Sequence, residues 1–146
     1  MTDISTTSTI AIDAPLMTVW KALTTPATIK EWFLGVDTES GWKVGSPIVH
    51  RGEYQGKPYE DKGEITRFEP PRVFEHTHWS PASGKPDRPE NHERVTWTLT
   101  DKGGSTQLDL MERNLPSEEA KQVSTKTWAM VLDNLKKVVE RRPVEV

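Results

Sequence analysis

Four histidines carry the clearest capacity for chemistry, His50, His76, His78 and His92, and each falls in a stretch with the pattern of a strand. Strand alternation puts Phe74, His76 and His78 on one face and Glu75, Thr77 and Trp79 on the other. Because glutamate is a poor core residue, Phe74, His76 and His78 are expected to face inward, although Trp79 argues the other way. Two imidazoles at i and i+2 suit a metal held jointly with His50 or His92, but no nearby carboxylate at a matching position completes the set. The histidines are therefore read as hydrogen-bonding groups of a polar cavity wall or as surface residues, with no metal and no cofactor expected. General acid or base work by His76 or His78 on a bound substrate stays open. Nothing points to a nucleophile: the chain has no cysteine, and no serine sits in a nucleophile-elbow setting. Gly103-Gly104 belongs to a hairpin, and Gly41 and Gly45 lack the strand-to-helix setting of a phosphate-binding loop.

Aromatic side chains give a stronger signal. Trp32, Phe33, Trp42, Phe74, Trp97 and Trp128 come from separated stretches, and a fold that gathers them round one interior would line it with rings. Rings interrupted by a few polar groups are the usual make-up of a small-molecule pocket. Together with His50, His76, His78 and Ser124 they form the candidate ligand-binding set. Trp20 reads as packing. Glu64, Arg67 and Glu112 read as solvated strand positions.

The longest element that could position these residues runs from Ser117 to about Arg142. Ser117 can cap its first turn, Glu118 and Glu119 complement the positive end of the helix dipole, and Arg141-Arg142 the negative end before Pro143 stops the run. Such a helix is roughly 37 Å long. At the helical period Ser124, Trp128, Val131, Leu132, Leu135, Val138 and Val139 share one face, opposite Gln122, Lys126, Asp133, Lys136, Lys137 and Glu140. The second half of that face is tightly aliphatic, so it should pack closely. The first half offers Ser124 and a single large Trp128 and should border open space. Val123 and Met130 lie toward the polar side and leave room for a homodimer contact.

Ahead of the helix, residues 4–12 alternate as a strand, and Pro15 and Pro26 each start a short helix carrying Val19, Trp20 and Leu23, then Ile29, Trp32 and Phe33. Strands follow at 48–54, 59–68, 73–79, 92–100 and 105–112. Gln55-Gly56, Glu69-Pro70-Pro71 and Asp101-Lys102-Gly103-Gly104 separate them as turns. Residues 80–91, with three prolines and a glycine, read as a long exposed loop that is mobile unless a ligand or partner orders it. A run of strands with helices at its ends is an α+β pattern, solved by a curved antiparallel sheet of about six to seven strands around the long helix, with a cleft between them.

With 146 residues and 34% hydrophobic content the chain suits one core, read as a single domain over residues 1–146. Six tryptophans against two tyrosines favour large apolar groups filling or lining a broad interior. The net charge of −3, with both signs scattered, gives no basic stripe and speaks against nucleic acid as a partner. No signal peptide or membrane span is legible, so a cytoplasmic location is the default.

Several short motifs agree with one known family. Ile10-Ala11-Ile12-Asp13-Ala14-Pro15, Val19-Trp20-Lys21-Ala22-Leu23-Thr24, Trp32-Phe33, Gly41-Trp42 and Gly45-Ser46 resemble the START-like (SRPBCC) superfamily. Lys62-Gly63-Glu64-Ile65, Glu69-Pro70-Pro71-Arg72, the run from Ser83 to His92, and Trp128 with Leu132-Asp133-Asn134-Leu135-Lys136 resemble the branch named after the activator of the ninety-kilodalton heat-shock protein's ATPase. The resemblance implies a helix-grip fold around a cavity. It leaves function open, because that fold hosts lipid carriers, hormone and antibiotic binders, polyketide cyclases and co-chaperone domains. The eukaryotic co-chaperone carries a separate preceding domain while this chain begins at the first strand, so a chaperone partner is not expected. The expectation is a non-catalytic domain holding a small apolar or amphipathic molecule, with Trp32, Phe33 and residues 80–91 near the entrance. A cyclase- or hydrolase-like enzyme and a co-chaperone-like interaction domain are the alternatives.

Overall fold

The computed structural model describes residues 2–141. The helix stop read at Arg142 and Pro143 lies outside the described residues. Alternating β-branched residues make β1 (Ser5–Ile12), after which Pro15 opens α1 (Leu16–Thr24) and Pro26 opens α2 (Pro26–Trp32). There follow β2 (Asp37–Ser40), β3 (Pro47–Tyr54), β4 (Lys57–Glu69), β5 (Val73–His78), β6 (Glu93–Asp101), β7 (Thr106–Arg113) and α3 (Glu118–Arg141). One antiparallel sheet in the order β1-β7-β6-β5-β4-β3-β2 results. From β2 to β7 the strands form a meander, and β1 returns to pair with β7. This is the α+β helix-grip architecture.

Ser117 Oγ accepts the Ala120 N–H at 3.1 Å and caps α3. Val131, Leu132, Leu135, Val138 and Val139 are buried against the sheet. Polar contacts fasten the helix to β1: the Thr6 and Thr125 hydroxyls meet at 2.7 Å, Lys136 Nζ donates to the Ala11 carbonyl at 2.7 Å, and Glu140 accepts the Asp13 N–H at 2.8 Å. Trp32 Nε1 donates to the Ala22 carbonyl at 2.9 Å and locks α2 onto α1, while Trp20 packs on Phe68. No described helix is long and apolar enough to cross a membrane.

Three local features depart from the sequence reading. β2 is an added strand, absent from the expected set. Residues 80–91 are exposed but contain two 3-10 turns, Pro81–Ser83 and Pro89–Asn91. Asn91 Nδ2 donates to the Pro86 carbonyl at 2.9 Å, Trp79 Nε1 to Lys85, and Asp87 pairs with both His92 and Lys62. Glu75 does face away from the cavity, yet it is only 7% exposed. The Thr66 and Thr96 hydroxyls donate to it, and the Arg94 and Arg113 guanidiniums cover it, so its charge is compensated by its neighbours.

Candidate functional site

The first half of α3 stands off the sheet where the second half packs against it. Between them, with α2 as a side wall, lies a cavity of about 260 Å³. β5 presents Phe74, His76 and His78 to it, as alternation requires. β6 presents Glu93, Val95 and Trp97, and β7 presents Glu112 from the same face as Thr106, Leu108 and Leu110. β4 contributes Tyr59 and Asp61, then a bulge between Ile65 and Arg67 shifts its inward face so that Phe68 also joins the core. The ten residues singled out from the sequence, Trp32, Phe33, Trp42, His50, Phe74, His76, His78, Trp97, Ser124 and Trp128, all stand on the wall. His92 does not; it bonds to Asp87 and Thr77.

Rings form one side. Phe33 stacks on Trp128 at 6.3 Å between centroids with 9° between planes, Trp128 meets Trp97 edge-on at 5.6 Å, and Trp97 meets Trp32 at 5.8 Å. Trp42 adopts a left-handed backbone (φ 56°), which places its ring 5.8 Å from Phe74. Such a conformation costs on the order of 1 kcal/mol for a residue with a side chain. The Trp42 N–H donates to Ser40 Oγ at 3.2 Å, and Ser46 Oγ accepts the Lys43 N–H and donates to the Lys43 carbonyl, which holds the turn.

Polar groups form the other side as a connected series. Asp61 Oδ2 lies 3.1 Å from His78 Nε2, His78 Nδ1 lies 3.5 Å from Glu93 Oε2, and Glu93 is hydrogen-bonded to Glu112. Glu112 Oε1 accepts from Trp128 Nε1 at 2.9 Å, so the series joins β4 to α3. Burial opposes charge on His78, but hydrogen bonds to Asp61 and Glu93 outweigh it and raise His78 to about 10. Burial and the proximity of Glu93 push Glu112 up to about 7, against the opposing hydrogen bonds from Trp128 and Ser124. Burial also raises Asp61 and Glu93, yet the hydrogen bonds they accept, chiefly from His78, hold both below the usual carboxylate range.

Beside this series, burial lowers His50 to about 3, with His76 and His78 adding to the effect. Burial likewise lowers His76 to about 4. Both imidazoles are neutral at neutral pH. His50 Nδ1 pairs with Thr38 Oγ1 at 3.0 Å; His76 Nδ1–H donates to the Thr77 carbonyl at 2.9 Å, which leaves Nε2 as its acceptor nitrogen. Two buried polar atoms of the wall find no hydrogen-bond partner among the described residues, Asp61 Oδ1 and Trp97 Nε1.

A family model described as Activator of Hsp90 ATPase homolog 1-like protein matches residues 13–140. This chain belongs to that family. The solution structure of a protein from Cytophaga hutchinsonii is 40% identical, with 94% of each chain covered and a TM-score of 0.82. CalU16 from Micromonospora echinospora is 27% identical over 92% of this chain and 75% of its own, with a TM-score of 0.72. A Mesorhizobium loti protein, 20% identical with a TM-score of 0.79 over 97% of this chain and 100% of its own, shares the fold. No curated protein matches.

Within this family member, three expectations need correction. Glu112 is not a solvated strand position: it is 5% exposed and lines the cavity, because the alternation that buries Leu108 and Leu110 carries it inward too. His78 does have carboxylate neighbours, Asp61 and Glu93, supplied by adjacent strands, although among the described residues no three such side chains are arranged so that they could hold a metal ion together. Residues 80–91 contribute nothing to the lining, and Trp32 is only 3% exposed. The exposed lining residues are Val123 and Thr127 of α3, which put the solvent side of the cavity along that helix.

Proposed function

We propose that this domain binds a small, mostly apolar molecule in the cavity between the sheet and α3 without transforming it. The observation that carries the reading is the set of four rings, Trp32, Phe33, Trp97 and Trp128, in mutual contact around open space that polar groups close on one side. A volume of about 260 Å³ lies just under the ~300 Å³ at which ordinary small-molecule pockets begin, so the occupant is compact. Membership of the family supports a ligand-holding role on this fold.

Native mass spectrometry of the purified protein beside a denatured aliquot tests the reading. An added mass lost on denaturation is the expected result. Returned at one hundred times its dissociation constant, the released molecule should stabilise the fold by about 2.7 kcal/mol. A clean mass with no stabilisation by apolar compounds would move the function to a protein-binding outer surface.

An enzyme is the second reading, favoured by one observation: neutral His76, with Nε2 as acceptor, shares the cavity with Glu112, whose carboxyl is poised near 7. Under that reading the released molecule is altered on incubation with fresh protein, and His76→Ala stops the change while binding stays within about tenfold.

A further inference from the structure

The polar side of the cavity is unbalanced in charge. Its ionisable side chains include three carboxylic acids, Asp61, Glu93 and Glu112, and neither lysine nor arginine is among the lining residues. Of the lining imidazoles only His78 is held as a cation, and it is already placed between Asp61 and Glu93. Even with Glu112 protonated, this end carries an excess of negative charge. Asp61 Oδ1 adds an independent observation, a buried lone pair without a hydrogen-bond partner of ordinary geometry among the described residues, the Ser80 hydroxyl being the one further donor that helps His78 to hold this carboxylate. Trp97, 4% exposed, is its counterpart on the aromatic side, a buried N–H with no acceptor.

Resting on the ligand-binding reading, we propose that the cavity selects a compact aromatic molecule with a hydrogen-bond-donating head group, a protonated amine above all, seated against Asp61, Glu93 and Glu112, and that it rejects carboxylates and phosphates. An ammonium brings three donors and no acceptor, which answers the Asp61 lone pair and offsets the surplus charge. A carboxylate at the same place brings only lone pairs, meets two anions, and finds no guanidinium or ammonium on the wall to compensate it, since Lys85 acts on Glu93 from outside the lining. A hydroxyl donates one hydrogen bond without charge and belongs between the two. An ether or carbonyl oxygen in the body of the molecule would take the Trp97 N–H.

Three probes on one ring system test this without modifying the protein: 1-naphthylmethylamine, 1-naphthylmethanol and 1-naphthylacetate, titrated calorimetrically near neutral pH. The amine is expected to bind at least about tenfold more tightly than the acetate, with the alcohol between them. Amine affinity should also rise between about pH 6 and about pH 8 as Glu112 loses its proton, since the groups facing Glu112 are Glu93 from β6 and Ser124 and Trp128 from α3, none of them a cation. In Glu93→Gln, and in Glu93→Gln with Glu112→Gln, the preference should shrink to within about threefold, provided melting shows that the variants fold. Acetate binding as tight as amine binding would overturn the proposal and leave the ligand-binding reading standing. Failure of all three probes to bind would overturn both.

Discussion

Trp128 is the residue whose removal separates a binding cavity from an ordinary core. It is half-buried, stacks on Phe33, abuts Trp97 and donates to Glu112. Trp128→Ala should weaken a cavity ligand by about tenfold or more, because one face of the aromatic wall disappears. It should destabilise the fold by about 2–3 kcal/mol, less than the ~3–5 kcal/mol of a fully buried ring. Trp20 packs on Phe68 away from the cavity, so Trp20→Phe should leave affinity unchanged. Titration of both variants with the molecule recovered from the native protein decides it: equal affinities would place the ligand elsewhere. At this scale the aromatic members of the wall were legible as large rings on separated elements. The charge of Glu112 suggests a solvated position, whereas its phase, shared with Thr106, Leu108 and Leu110, carries it inward. Its partnership with Glu93 was not legible at all, since it depends on pairing in which Val95 lies opposite Glu112, and no local pattern encodes a register between strands.

At the scale of elements, the amphipathic stripe of α3 announced its start, its apolar face and the change from close packing to open space along it. β2 was missed because four residues, Asp37–Ser40, offer too little alternation to stand out, and β3 is what holds them. The close passage of β4 beside β5 was equally silent. A Cβ at Gly63 would overlap the Thr77 carbonyl oxygen, a backbone atom that cannot swing aside. At Gly52 the atoms met belong to the Tyr59 ring, which can turn away. Gly63→Ala should therefore cost about 3 kcal/mol or more, and Gly52→Ala about 1 kcal/mol. Urea unfolding of the pair measures this directly, and coincident midpoints would contradict the strand geometry. Since Asp61 precedes Gly63 on β4 and His78 follows Thr77 on β5, a folded Gly63→Ala protein should also show a disturbed Asp61–His78 contact.

For the whole molecule, the same buried groups set how stability depends on pH. His50 and His76 have folded values of about 3 and about 4, below the ordinary 6.5, so the unfolded chain takes up two more protons than the folded one as pH falls below about 6. Their contribution is present above 6.5 and lost on acidification. Glu112 acts in the opposite sense: its folded value of about 7 exceeds the usual 4.5, so it stabilises at low pH and that contribution is lost as pH rises toward 7. Between about pH 5 and 6 the two histidines outweigh the one carboxyl by about one proton, and stability should fall by up to about 1.4 kcal/mol per pH unit of acidification. Below that range Asp61, Glu93 and Glu75, all held low in the fold, steepen the loss. On the alkaline side His78 dominates, with a folded value of about 10; its contribution is complete below 6.5 and is lost as pH rises through 10. A stability maximum is thus expected between about pH 6 and 7, with the alkaline limb and the upper part of the acid limb set by ionisable groups of one cavity wall and Glu75 on the opposite face of the sheet adding to the loss at lower pH. Denaturant unfolding across this range measures the curve. His50→Gln keeps a partner for Thr38 and removes one of the two acid-limb protons, so between about pH 5 and 6 its slope should fall close to zero. An unchanged slope in that variant would show that His50 is not held neutral in the folded state, and the charge imbalance assigned to the cavity would have to be redrawn.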